Sequence, residues 1–205
     1  MTESLKAQKN VESLPTGLSA GLAGLTAGTR GKWAGRWIWA AIIQGAIVAT
    51  ITVLIIQPLS YFNYNPYFAP SKVIAGGGGG TWLFTGYIIY LVVGVVAVAV
   101  TAMIYFYLEG VMGKVYHGVT NYLAWGQYIL MNVGVAGAMI LMIYGGWEAG
   151  YAGAAVSSGG LGYTDYQIHV AYLSALVNPI GGLALVAALG ILLGGAGFLL
   201  RSRMK

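Results

Sequence analysis

Four long stretches without a single charged residue constrain this chain more than any other feature. They are Trp37–Ile56, Trp82–Leu108, Tyr122–Tyr144 and roughly Ile180–Leu200. About 20 apolar residues at 1.5 Å rise per residue cross the hydrocarbon layer of a bilayer. That layer holds no water, so a spanning backbone must satisfy its own hydrogen bonds, and a helix does so within one segment. Barrel strands alternate apolar and polar residues over about 10 positions. Leu91-Val92-Val93-Gly94-Val95-Val96-Ala97-Val98 does not alternate. The reading is an all-α, polytopic membrane protein with four transmembrane helices in a bundle.

Composition agrees with that reading. Charged residues make up 7% of the chain, against about 25% in a soluble domain, too few to cover a water-exposed surface. The absence of cysteine removes disulfides, thiolate metal sites, iron–sulfur clusters and thiol catalysis. The chain divides into a mobile cytoplasmic N-terminal tail over 1–35, with no secretory signal in its opening, and a transmembrane domain over 36–205.

The basic residues set the orientation. Lys6, Lys9, Arg30, Lys32, Arg36, Lys114, Arg201, Arg203 and Lys205 fall on one side of a four-span arrangement, and only Lys72 falls on the other. The positive-inside rule places both termini in the cytoplasm, across a cell (plasma) membrane. The net charge of +5 is thereby explained without nucleic acid. Tryptophans fall at the helix ends, Trp33, Trp37, Trp39 and Trp125 inside, Trp82 and Trp147 outside, where amphipathic rings favour the membrane interface.

Two outer loops are expected, 57–81 and 145–166. The first carries Tyr61-Phe62-Asn63-Tyr64-Asn65-Pro66-Tyr67-Phe68 and then five consecutive glycines, Gly76–Gly80. Such a run is either flexible or closely approached by another backbone. The second loop ends at Thr164-Asp165-Tyr166-Gln167. This spacing predicts a capping box, with Thr164 as N-cap and Gln167 reaching back, so the fourth helix starts near Asp165. Pro179 is expected to kink that helix or to divide it.

Small residues recur at intervals of four. Ala41, Gly45 and Ala49 do so on the first helix, Gly134 and Ala138 on the third, Gly190 and Gly194 on the fourth. Membrane helices pack closely at such stripes. They serve contacts inside the bundle or a docking face for another subunit, the first being the commoner use.

Candidates for chemistry are few. His117 and His169 are expected at opposite faces of a layer about 30 Å thick, so they hold no shared metal or haem. Glu148, Asp165 and His169 can gather at the outer face as a metal or proton site. The plainer reading gives Asp165 to the helix start and leaves Glu148 solvated. Glu109 is either a proton-loading carboxylate or a solvated or paired one, for instance with Lys114. Gln44, Gln127 and Asn132 lie within spans, where hydrogen bonds between helices are the ordinary role and lining a quinone or water path the sharper one. Asp, Glu, Lys and Arg are missing from mid-span, which argues against a self-sufficient pump or ion channel. There is no nucleotide loop, nucleophile elbow or metal-ligand motif.

One resemblance can be traced. The chain reads Gly86-Tyr87-Ile88-Ile89-Tyr90-Leu91-Val92-Val93-Gly94, then Trp125-Gly126-Gln127-Tyr128-Ile129-Leu130-Met131-Asn132-Val133-Gly134, then Gly145-Gly146-Trp147. From Gly86 to Gly150 this resembles the late transmembrane region of the large subunit of haem-copper terminal oxidases. Gly86 and Ile88 stand where that family's paired histidines would fall, so no haem or copper ligand carries over. The resemblance implies an accessory subunit without redox centres, packed beside other integral membrane subunits, one of which holds any haem or copper. The expected function is therefore a non-catalytic subunit of a membrane respiratory complex. The alternative is a small oligomeric transporter or channel for a neutral substrate.

Overall fold

The computed structural model describes residues 32–56, 73–74 and 77–203. Among the described residues there are helices and no strands. Four helices are long and apolar enough to cross a membrane. They are α1 (Lys32–Ile56), α2 (Gly78–Val111), α3 (Gly118–Gly153) and α4 (Asp165–Arg203). A single 3₁₀ turn, Val156–Ser158, lies between α3 and α4.

The last three helices outrun the apolar stretches that announce them. α2 has 34 residues, α3 36 and α4 39, or about 50–60 Å of helix at 1.5 Å per residue. That exceeds a hydrocarbon layer of about 30 Å. Two expectations change as a result. The loop expected over 145–166 is helical as far as Gly153, and only 154–164 connects α3 to α4. Within the loop expected over 57–81, α2 already begins at Gly78, and 57–72 lie outside the described residues.

Glycine content misled the first of these readings. Gly145, Gly146, Gly150 and Gly153 disfavour an isolated helix, but close packing outweighs propensity. A side chain at Gly146 would run into the Leu83 backbone, and one at Gly150 into the Val73 carbonyl. The glycine run before α2 serves the same approach. Gly77 takes φ 90°, open to glycine at no steric cost, and a Cβ on Gly79 would lie 2.7 Å from that of Ala149.

α3 is the central helix. Its length packs on α4, and it also packs on the first half of α2, Gly78–Ile89. The second half of α2, Ala97–Phe106, crosses over to pack on α1. The buried positions of α3 include Ala124, Gln127, Met131, Gly134, Val135 and Ala138, the spacing of one helix face. All ends proceed alternately, so the start of α1, the end of α2, the start of α3 and the end of α4 meet at one end. Lys32, Arg36, Lys114, Arg201 and Arg203 belong to it, and it is called the basic end below.

The tail expected over 1–35 gives way to helix at Lys32, and residues 1–31 lie outside the described residues. Pro179 neither divides nor ends α4, whose helix runs unbroken from Ser174 to Arg203.

Candidate functional site

α2 departs from α-helical geometry twice, and each departure aims a polar group at α1. Its stretches Tyr90–Val96 and Tyr107–Val111 are π-helical. A π-bulge inserts extra chain into a helix and re-aims the side chains beside it. At the first, the buried Tyr90 hydroxyl donates to Gln44 Oε1 on α1. Gly94 makes room, because a Cβ there would strike the Tyr90 ring. Gln44 Nε2 then donates to Asn132 Oδ1 on α3 at 3.1 Å, and Asn132 Nδ2 donates to the Tyr128 carbonyl at 2.7 Å. One chain of hydrogen bonds thus ties α1, α2 and α3 together near mid-span.

A second tie sits nearer the basic end. The buried Tyr105 hydroxyl on α2 donates to Gln127 Oε1 on α3 at 2.9 Å. Gly194 of α4 lies flat against the Gln127 amide, with no space for a Cβ. Gln127 and Asn132 therefore hydrogen-bond between helices, in two separate networks.

At the second π-bulge, Glu109 closes the start of α1. Its Oε2 accepts from the backbone N–H of Trp33 at 3.0 Å and of Ala34 at 3.2 Å. The first N–H groups of a helix lack partners within it, and a negative charge is stabilised there. A carboxylate from another helix thus supplies the cap that residues before Lys32 would ordinarily supply.

The basic end holds an aromatic cluster. Trp37 stacks on Tyr105 with centroids 6.0 Å apart, Tyr105 meets Tyr116 at 5.0 Å and Phe198 at 4.9 Å, and Trp33 meets Trp125 edge-on at 5.1 Å. Arg36 lies between two indoles, its Cζ 4.4 Å from the Trp33 ring and 4.5 Å from that of Trp125, close enough for cation–π attraction to both. Trp33 Nε1 donates to Asn121 Oδ1 at 3.1 Å. Of the indoles expected in an interfacial belt, Trp39 is 65% exposed, whereas Trp33 and Trp37 are buried in the protein, at 1% and 0%. Those two rings pack inward, Trp37 on Tyr105 and Trp33 on Tyr105 and Trp125. Burial pushes the Tyr116 hydroxyl up from the ordinary tyrosine range, and the Glu109 charge adds to that, while Arg201 opposes it.

The outer residues do not converge. The capping box forms as expected, with Gln167 N–H donating to Thr164 Oγ1 at 3.4 Å and Thr164 N–H donating to Gln167 Oε1 at 2.9 Å. Asp165 stands in the first turn of α4. Asp165 and His169 are exposed, and Glu148 is half-buried on the helical end of α3. Among the described residues no three of His, Asp and Glu are grouped to hold a metal ion. His117 stands at the start of α3 in the basic end, and His169 near the start of α4 at the other.

The small-residue stripes separate into two kinds. Gly134 and Gly190 touch backbone: a Cβ on the first would lie 2.5 Å from Ala187 N, and on the second 2.6 Å from Met131 N. Ala138 is buried beside them. These stripes join α3 to α4. On α1, Gly45 has only Val95 at 3.9 Å, Ala41 is half-buried and Ala49 is exposed. Ala41 lines an apolar groove of about 570 Å³ between α1 and the second half of α2, with Ile38, Ile42, Ala99, Ala102, Met103 and Phe106 among its walls.

Comparison of the chain with protein-family models, with curated proteins and with solved structures finds no match in any of the three.

Proposed function

We propose that this chain is a non-catalytic subunit of a membrane complex, held in the bilayer beside other integral subunits. The observation that carries this reading is the use made of the in-span polar side chains. Gln44, Asn132 and Gln127 are all committed to hydrogen bonds between helices of the same chain. A transport path requires polar groups turned toward a passage. Here they fasten helices together, and the apolar faces of α1 and α4 are left to lipid or to neighbours. Exposed Ile42, Ile43, Val53 and Leu54 mark one such face, and Leu185, Leu189, Leu192 and Leu199 the other.

Assignment to a respiratory complex, a haem-copper terminal oxidase, rests on the likeness of Gly86–Gly150 to that family's large subunit. Any haem or copper would then be held by a partner. The charge asymmetry supports cytoplasmic termini under the positive-inside rule, and a plasma membrane is the location that goes with this reading.

The test is gentle-detergent purification of the tagged protein from its native membrane, with mass spectrometry of partners and an absorption spectrum of the eluate. Co-elution of a haem-bearing catalytic subunit is expected. A colourless eluate containing only this chain would overturn the assignment. Uptake by vesicles containing only this chain would then favour the transporter.

A further inference from the structure

Among the described residues, the buried side-chain polar atoms lacking a hydrogen-bond partner are Trp37 Nε1, Tyr116 Oη and Arg201 Nε. All three belong to the aromatic cluster of the basic end. Trp37 and Tyr116 both pack on Tyr105, and Phe198, which packs there too, precedes Arg201 by one turn of α4. Tyr116 and Arg201 are each only 7% exposed. Unpaired polar atoms at such depth are rare, and an unseen ion is among the few explanations for them. A buried cation without an anionic partner costs several kcal/mol.

The nearest carboxylate is already in use. Glu109 accepts two backbone N–H groups at the start of α1. The last turn of α4 favours the Arg201 charge through its dipole, but offers nothing that accepts from Nε. Among the described residues the cluster lacks an acceptor with negative charge to spare. Guanidinium and phenol donors, near enough for the Arg201 charge to act on the Tyr116 hydroxyl, match the oxygens of a phosphate, which arginine binds in a forked geometry. The place also matters. Basic pockets between helices at a membrane face bind phospholipid head groups, and Lys32 and Arg36 lie at this same end.

We propose that Arg201 and Tyr116 form a binding site for a phosphate group, supplied by the head group of an anionic phospholipid in the leaflet at the basic end. The short connection Met112–His117 carries Tyr116, and Gly113 within it has φ 64°.

The test compares full-length protein in nanodiscs of phosphatidylglycerol and phosphatidylcholine, reading retained lipid by native mass spectrometry. Phosphatidylglycerol is expected to be retained preferentially. R201Q should reduce that preference about tenfold and Y116F about threefold, as loss of a charged and a neutral hydrogen bond would. R203Q, at an exposed position two residues on, should leave it unchanged. A parallel arm titrates inorganic phosphate into protein in neutral detergent. Saturable, Arg201-dependent phosphate binding without lipid preference would keep the phosphate site and overturn its lipid source. Equal retention of both lipids with no phosphate binding, or equal losses in R201Q and R203Q, would overturn the site. Should R201Q not fold, Y116F decides: its ring packing is kept, and unchanged lipid retention in it overturns the proposal.

Discussion

The α3–α4 seam and the α1–α2 seam hold by opposite means. Along α3–α4, glycines bring backbones together, and Gly134 and Gly190 leave no room for a methyl group. Along α1–α2, Gly45 meets only a side chain, Val95, and polar groups join the helices: Tyr90 to Gln44, Glu109 to the start of α1. The apolar groove with Ala41 in its wall lies between these same two helices. Lipid removes most of the hydrophobic drive for helices to associate, leaving close packing and hydrogen bonds. Each seam relies chiefly on one. The glycine seam is intolerant of bulk, and the polar seam intolerant of lost partners.

Four substitutions probe this contrast, from the largest effect to the smallest. Gly134→Leu should separate α3 from α4, because its Cβ meets backbone that cannot turn aside. Overpacking ordinarily costs about 1–3 kcal/mol, and this site belongs at or beyond the upper end. Thermal unfolding in detergent with size-exclusion chromatography measures it, and an unchanged profile would contradict the glycine seam. Glu109→Ala should cost about 1–2 kcal/mol, the worth of a charged helix cap. Faster proteolysis near Trp33 is the sharper readout, and an unaltered cleavage rate would remove Glu109 from its capping role. Gln44→Leu should cost about 1 kcal/mol, since interhelical hydrogen bonds in membranes average about 0.6 kcal/mol and Tyr90 and Asn132 lose their partner together. Ala49→Leu, on an exposed α1 position, should change stability by less than about 0.5 kcal/mol. A large loss there in the isolated chain would mean that α1 packs more closely than its neighbours indicate.

Much of the fold was legible in the sequence, and the misses share a cause. The uncharged runs located all four spans, because exclusion of charge from hydrocarbon acts on each residue by itself. The start of α4 was legible because Thr164 and Gln167 form a local motif. What eluded the sequence depended on pairs far apart in the chain. Glu109 reaches Trp33 across 76 positions, and no local signal marks a carboxylate as the cap of a distant helix. Gly145–Gly153 looked like loop because the Leu83 and Val73 backbones that require those glycines lie on other segments. The hydrogen-bonding role of Gln44, Gln127 and Asn132 was foreseen, whereas their partners Tyr90 and Tyr105 were not, being two among 15 tyrosines. Arg201 stood out only once its burial was known; at a helix end it looked like an ordinary orientation charge.

The π-helical stretches of α2 carry a consequence for how this chain can vary. Each holds its helix in a phase that an uninterrupted α-helix would not keep. Forced into regular winding at the same length, the stretch Tyr90–Val96 would turn everything after it by about 100°. Tyr105 would then leave Gln127, and Glu109 would leave the start of α1, though neither had been altered. Deleting one residue within Tyr90–Val96 is therefore expected to remove the bulge and keep both contacts, whereas deleting one from the regular winding between Val96 and Tyr105 is expected to break them.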